Sequence, residues 1–438
     1  MSLLTDWTVL FVQRYPYFVR AAAGLARRTL PSRWVDGLVI GADAVRETFA
    51  RAEDYSMGHL NEPKLKHGAF LLGMDPPLEQ YHYEKQVLVA ALEAMPAQIA
   101  RYAAYDADLT ARRLAAKAAQ TRGRSRRVRI ELGAGYAEPV FARALAYAFG
   151  VPARGEACPV FPKQALPLPM EPLARYIRTF GATIGSSHPA PFGLEKLALA
   201  AAPYFRAHLE AALRAHRDGS IAQMLPRIAG EPLRDPSQTA LGKLLADQPF
   251  TDGDEGIVRC IAGMLSASAS LPKAFAHVLH ELLRRPEHAR CFARAIDASD
   301  VDVVHAYVRE ALRFRPAFPL LVRHCPHAST LQATQTPRTA GDLVMFFPGL
   351  AMFDPSHVTA PEAFATGRPT KDYFLFGGAP RECIGKDAMM ALFLPLFRGL
   401  RQHLPQVFEA KPGRLRYDGP ALAHYELYVT QQPPDLGT

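Results

Sequence analysis

Stretches rich in Ala, Leu and Arg, with apolar residues three and four apart, run through most of this chain, and short pieces rich in Pro and Gly cut them. That spacing is the mark of amphipathic helices packed on one another, and no other feature limits the fold as much. It predicts helices over 79–120, 134–149, 191–217, 239–247, 253–285 and 299–314, the last ending before Pro316. One β-like region follows, LLVRHC at 320–325 and DLVMFF at 342–347, with turn residues between them. The expected class is therefore mainly α with small β-sheets (α+β).

Composition narrows this further. With 49% apolar residues and a net charge of only +9, the chain reads as globular, not disordered or fibrous. Its cysteines (Cys158, Cys260, Cys291, Cys325 and Cys383) are odd in number and scattered, so they form neither a disulfide framework nor a CxxC zinc site. A reducing compartment is expected. The most apolar N-terminal stretch, Trp7 to Leu25, is interrupted by Arg14, Pro16 and Arg20, and Asp6 stands where a signal peptide has its basic residues. No membrane span is expected, and the location is read as cytoplasmic. Residues 1–35 read as a helical segment packed on its own domain, with peripheral membrane contact as the other reading. The basic run 122–129 (RGRSRRVR) lacks interleaved aromatics and reads as a solvated loop, with no nucleic-acid partner. Without repeats or low-complexity linkers, 1–438 is read as one domain.

Chemistry concentrates at 376–385, FGGAPRECIG. Cys383 lies between Arg381 and Gly385, in a Gly-rich loop that leads into the apolar helical run DAMMALFLPLF. A thiol just before a helix N-terminus, with an Arg two residues away, sits in positive potential that favours thiolate. Such a thiolate serves as nucleophile, zinc ligand or axial iron ligand. Gly377, Gly378 and Gly385 leave room for a flat cofactor to approach the backbone. Elsewhere the signals are weaker. His277 and His280 are three apart on a helix without a third ligand, and read as a solvated face. Asp252, Asp254 and Glu255 read as acids at a helix start rather than a calcium loop.

FGGAPRECIG resembles the heme-binding loop of the cytochromes P-450, Phe-Gly-x-Gly-x-Arg-x-Cys-x-Gly, at Phe376, Gly377, Arg381, Cys383 and Gly385, departing at Ala379. Glu310-Ala-Leu-Arg313 resembles the family's Glu-x-x-Arg, and Arg368 falls where its third partner lies. The stretches 340–355, 73–77 (GMDPP) and 127–152 resemble further pieces in the right order, so the likeness covers roughly 36–430. It implies a triangular helical prism around buried heme b (iron protoporphyrin IX). Cys383 is then the iron ligand, a thiolate that pushes electron density into iron and favours O–O cleavage. Arg323 and Arg381 match positions that bind the heme propionates. In the helix where the family has His-x-x-x-Arg, this chain offers Tyr81-x-x-x-Lys85, or His82-x-x-x-Gln86 one residue on; the first keeps a cation. Glu310, Arg313 and Arg368 are expected to be a structural ion network.

The sequence departs most in the helix crossing the heme face, where the family has Ala-Gly-x-Asp/Glu-Thr-Thr and its acid and alcohol relay protons. Here the residues are Ala262-Gly263-Met264-Leu265-Ser266-Ala267, or Ser266 to Leu271 in an alternative register. Leu265 then stands in the acid's place and Ser266 in that of Thr, and Pro272 is expected to kink or loosen the helix just beyond. Met264, Leu265, Phe318 and Leu320 are the apolar candidates for pocket walls. The implied function is a monooxygenase acting on a lipophilic small molecule. Its electrons come from a separate ferredoxin or flavodoxin and its reductase, and NAD(P)H is used only through them, since this length leaves no room for a fused reductase. Two alternatives stand: a peroxide-using enzyme of the same fold (a peroxygenase, or a lipid hydroperoxide isomerase or lyase), and a heme-binding sensor.

Overall fold

Helix follows helix along the chain, as the spacing predicts. The computed structural model describes residues 8, 11–29, 39–57, 78–93, 95–120, 127–155, 158–161, 171–184, 194–225, 235–418 and 421–430. The first helices are α1 (Pro16–Thr29), α2 (Ala42–Ala50), α3 (Leu78–Leu92) and α4 (Met95–Gln120). The single helix expected over 79–120 is thus two. Pro96 explains the division, because a proline is tolerated in a first helical turn and not in a helix interior. Next come strand β1 (Arg127–Glu131), a π-helical turn (Gly133–Ala137), α5 (Glu138–Phe149), α6 (Pro172–Ile184) and α7 (Leu194–Arg217). β1 corrects the loop expected at 122–129: Val128 and Ile130 are buried while Arg127 and Arg129 face out, the alternation of a half-buried strand. The first half of that run, and GMDPP at 73–77, lie outside the described residues.

The long stretch expected at 253–285 follows the short helices α8 (Ile221–Met224) and α9 (Ala240–Asp247), and it is also broken in two, α10 (Asp254–Ala267) and α11 (Ser270–Leu283). Pro272 causes a break, but at 268–269 and not beyond itself. A proline withholds the N–H that would bond the carbonyl four residues back, here Ser268, and its ring crowds that carbonyl. Ser268 O is taken instead by Leu271 N at 2.9 Å. Two more helices, α12 (Pro286–Asp297) and α13 (Val301–Phe314), lead into the β-region. Asp300 caps α13 by accepting from Val303 N at 3.1 Å.

β2 (Leu321–His324) pairs antiparallel with β5 (Leu343–Phe346), where the sequence predicts strands, and β3 (Ser329–Leu331) with β4 (Thr336–Arg338) forms a small hairpin between them. Bridges from Val39 to Phe346 and from Ser56 to His324 tie the N-terminal segment to this sheet. After α14 (Pro348–Ala351) and a long ordered loop comes α15 (Lys386–His403), then β6 (Arg414–Asp418) and β7 (Ala421–Thr430). β7 is the middle strand of an antiparallel sheet ordered β1-β7-β6. Glu131 fastens this corner, its carboxylate accepting from Gly133 N at 3.0 Å, from Gly135 N, and from Tyr425 N at 2.9 Å.

The largest apolar core lies where α15 packs along α4, with α5, α11 and α13 around them. The approach of α15 to α4 is backbone-close at Gly399, where a Cβ would meet the Ala107 carbonyl carbon at 2.8 Å. No helix among the described residues is long and apolar enough to cross a membrane. His277 and His280 lie inside rather than on a solvated face. His277 is fully buried, its ring 3.0 Å from Arg315 O and 2.8 Å from the Tyr417 hydroxyl. No group of metal-ligating side chains occurs among the described residues.

Candidate active site

A cavity of about 360 Å³ opens between α10 and the loop that carries Cys383. The loop is closed by Cys383 N, which donates to Phe376 O at 2.9 Å. Gly377 supplies a φ of +77° that only glycine adopts freely. Gly378 is needed for packing, since a Cβ there would press on the Phe49 side chain, 3.1 Å from its Cβ and 3.3 Å from its ring. A Cβ on Gly385 would lie 3.9 Å from Cys383 Sγ, so its absence keeps the space beside the sulfur open. Of the three glycines expected to admit a flat group, Gly385 bears on the cavity most directly.

Cys383 precedes α15 by three residues and lines the cavity, into which its accessible surface opens. Protein otherwise surrounds the sulfur, and burial pushes the thiol up from its ordinary value. A backbone hydrogen bond from Gly385 and the charges of Lys85 and Lys386 act the other way, and Glu382 adds to the rise. The positive potential expected at the helix N-terminus is present, but it is outweighed. A cation bound at the sulfur would supply what the protein alone does not.

Arg381, Arg323, Tyr81 and Phe376 line the same cavity. Arg381 lies over the Tyr81 ring, 5.1 Å from its centroid, and donates from Nη1 to Met57 Sδ at 3.3 Å. Arg323 is buried on β2, 5.1 Å from the Phe346 centroid, with Nη1 donating to Val322 O at 2.8 Å. Tyr81 is buried on α3, and burial raises its phenol above the usual value. Lys85, one turn on, donates to Pro380 O at 2.6 Å and to Glu382 O at 3.2 Å, so it grips the backbone of the loop. His82 and Gln86 are exposed and outside the cavity wall.

On the opposite wall, α10 contributes Gly263, Met264, Ser266 and Ala267. The Ser266 hydroxyl is buried without a hydrogen-bond partner among the described residues. Leu265 does not reach the cavity. It is fully buried in the helical core, and the sequence expectation that it forms a pocket wall or stands in a proton path is corrected by its place on the other side of α10. Met264, Phe318 and Leu320 do line the cavity, as expected. Phe49, Met57, Gly181, Lys273 and Ala421 also line it and escape a reading of the sequence, because they arrive from distant parts of the chain with no local motif.

Behind the loop, Arg313 Nε and Nη2 each donate to Glu310 at 2.9 Å, with both side chains fully buried. Arg368 reaches the same carboxylate at 3.3 Å and also donates to Thr359 O, Ala360 O and Ala363 O. Arg313 donates to Met352 O and Ala363 O, both at 3.0 Å. The network thus fastens the 352–373 segment to α13 and lies apart from the cavity wall.

The donor set fits an iron porphyrin. Two cysteines line the slot, but burial and the Glu84 carboxylate push the Cys260 thiol up to about 12, which leaves Cys383 as the sulfur suited to a metal. Arginines stand beside it as partners for carboxylates, and a missing side chain at Gly385 leaves that sulfur accessible.

Comparison with known proteins agrees. Residues 263–423 match the family described as Cytochrome P450. Among curated proteins, the chain is similar to the cytochrome P-450 monooxygenase DoxA of Streptomyces sp. (strain C5), 29% identical over 161 residues. That match covers 36% of this chain and 36% of the relative, so it spans about a third of the relative's length. Among solved structures, the cytochrome P450 enzyme CYP109B1 from Bacillus subtilis superposes with a TM-score of 0.68 at 15% identity, over 96% of this chain and all (100%) of that one. P450BioI, solved in complex with an acyl carrier protein ligated to hexadec-9Z-enoic acid, gives 0.63 at 16% identity, over 90% and 91% of the two chains.

Proposed function

We propose, on the premise that the chain is a cytochrome P450 by its fold and by its sequence over residues 263–423, that it is a heme-thiolate monooxygenase acting on a lipophilic small molecule. The observation that carries this reading is Cys383, opening into an otherwise largely apolar cavity that also holds two arginines. Bound there, heme supplies the oxygen-activating redox chemistry. The protein's own residues do the rest. Cys383 ligates the metal, and the Gly385 N–H holds the sulfur. Arg323 and Arg381 bind the propionates, with the Tyr81 phenol beside them. Lys85 fixes the loop by its two carbonyls. Phe376 and Met264 exclude water from opposite sides. The Ser266 hydroxyl is placed to hold a water or a polar substrate atom. Electrons come from a separate ferredoxin or flavodoxin and its reductase, which alone consumes NAD(P)H. The catalytic unit is one domain.

One observation favours a second reading, a peroxide-using enzyme of the same fold: no carboxylate from α10 or α11 lines the cavity among the described residues. Proton delivery from that wall then rests on Ser266 and water. Turnover driven by hydrogen peroxide alone separates the two readings.

The test of the shared premise is spectroscopic. The reduced, carbon-monoxide-bound protein shows the red-shifted Soret band of a thiolate-ligated heme, and Cys383→Ala abolishes it. A histidine-type band in freshly folded protein, unchanged in Cys383→Ala, would falsify the assignment.

A further inference from the structure

The cavity has a second charged region that the heme site does not use. Lys273, on the first turn of α11, is 2% exposed and lines the cavity beside Ser270, Leu271 and Phe318. Its Nζ stands 5.0 Å from the Phe318 ring centroid, so the ammonium itself is at the wall. The other charged residues lining the cavity, among those described, are Arg323, Arg381 and Glu382, all on β2 or the Cys383 loop. Arg381 stands over the Tyr81 ring, with Arg323 and Cys383 near enough to act on that phenol, whereas the Lys273 ammonium stands by Phe318. Lys273 also lies beyond the break at 268–269, on the helix that follows the one carrying Ser266. The cavity is therefore bipolar: sulfur and two arginines at one end, a single ammonium at the other, and apolar side chains such as Met264, Leu271 and Leu320 between.

Burying an ammonium in an apolar wall is costly, and here burial pushes its pKa down to about 7. An ammonium has three donors on a rotatable stem, so it can hold a protein carbonyl and an incoming anion together. A ligand that brings a carboxylate to this end and an apolar body to the rest adds an anion to the contacts of the ammonium and covers the walls at once. Sulfate or phosphate would supply the charge but leave the apolar span uncovered.

Resting on the reading of the cavity as a heme-adjacent substrate pocket, we propose that Lys273 is a specificity residue that binds the carboxylate of a lipophilic monocarboxylic acid, whose apolar chain extends toward Cys383. Substrates are then taken up acid end at α11, and the carbons presented at the sulfur end are remote from the carboxylate.

The test uses heme-loaded protein and a matched pair of probes, dodecanoic acid and dodecan-1-ol, titrated by calorimetry. Wild type is expected to bind the acid at least about tenfold more tightly than the alcohol, the scale of one charged hydrogen bond. Lys273→Met should bring the two within about twofold while keeping the affinity for the alcohol, and Lys273→Arg should retain the preference. Equal affinities in wild type overturn the proposal. So does an acid preference that survives in Lys273→Met. If that variant does not fold, the wild-type ratio decides, with Lys273→Arg as the second measurement. Because heat is read rather than turnover, a protein lacking the thiolate Soret band yet preferring the acid would defeat the heme reading and leave the Lys273 assignment standing.

Discussion

Glu310 accepts from Arg313 through both oxygens, from Arg368, from Ala365 N at 2.8 Å and from the Tyr373 hydroxyl at 3.2 Å. An ion pair this deep is worth little against apolar side chains of the same shape, but removing one partner strands a buried charge. Glu310→Gln is therefore expected to lower stability by about 3–5 kcal/mol. Urea unfolding, followed by far-ultraviolet circular dichroism, measures it. A loss below about 1 kcal/mol would mean that Arg313 finds compensation in Met352 O and Ala363 O. The chemistry of these residues was legible in the sequence because it is written locally: Glu310 and Arg313 are one helical turn apart, and Arg381 and Cys383 share a loop. Lys273 was not. Nothing in Leu271-Pro272-Lys273 distinguishes a cavity lysine from one on the surface, and only the break in the helix and the neighbouring Phe318 give it its place.

At the scale of elements, the break between α10 and α11 is where the fold departs most from its sequence reading. It is held from outside by α6, whose backbone approaches so closely at Gly181 that a Cβ there would come within 2.0 Å of Ala269 Cβ and 2.5 Å of Ser266 O. Gly181→Ala is expected to cost about 1–3 kcal/mol by overpacking. Gly24→Ala on α1, where nothing lies within 4 Å of the added carbon, should be neutral or stabilising by up to about 1 kcal/mol. Melting temperatures of the two variants check the contrast, and equal shifts would show that α6 yields at this contact. Helices were readable because their apolar spacing is a local signal that depends on few neighbours. β2 and β5 were readable as short apolar runs between turn residues. β1 was not, because its pairing with β7 joins residues some 300 positions apart, such as Arg127 with Thr430, and because arginines alternate with its two buried residues. β6 and β7, although they pair with each other locally, went unread as well. The site of the break also eluded the sequence: Pro272 announces it, but the geometry of a missing N–H displaces it four residues back.

For the whole molecule, the net charge of +9 bears on the proposal of a separate electron donor. Its distribution near the Cys383 loop is more modest than the residue types suggest. Lys386 is paired with Glu382 at 3.0 Å, Lys85 is spent on two carbonyls, and Arg381 faces the cavity. Attraction for an acidic ferredoxin or flavodoxin thus comes from the summed field, which salt screens over about 10 Å at 0.1 M. Reduction by such a donor is expected to slow about tenfold between low and high salt, as stopped-flow spectroscopy would show. Rates that stay flat with every acidic partner tried would end the docking idea. The β1-β7-β6 sheet has a consequence of another kind, in the order of events during synthesis. Ala421 is both a wall of the cavity and the first residue of the strand that completes this sheet. The ribosome delivers it nearly 300 residues after β1, roughly 15–60 s later at ordinary elongation rates. Until then Glu131 lacks Tyr425 N, and the cavity lacks one side. The nascent chain therefore carries an open apolar slot until β7 is made, and any group held in that slot is enclosed only once this strand has paired.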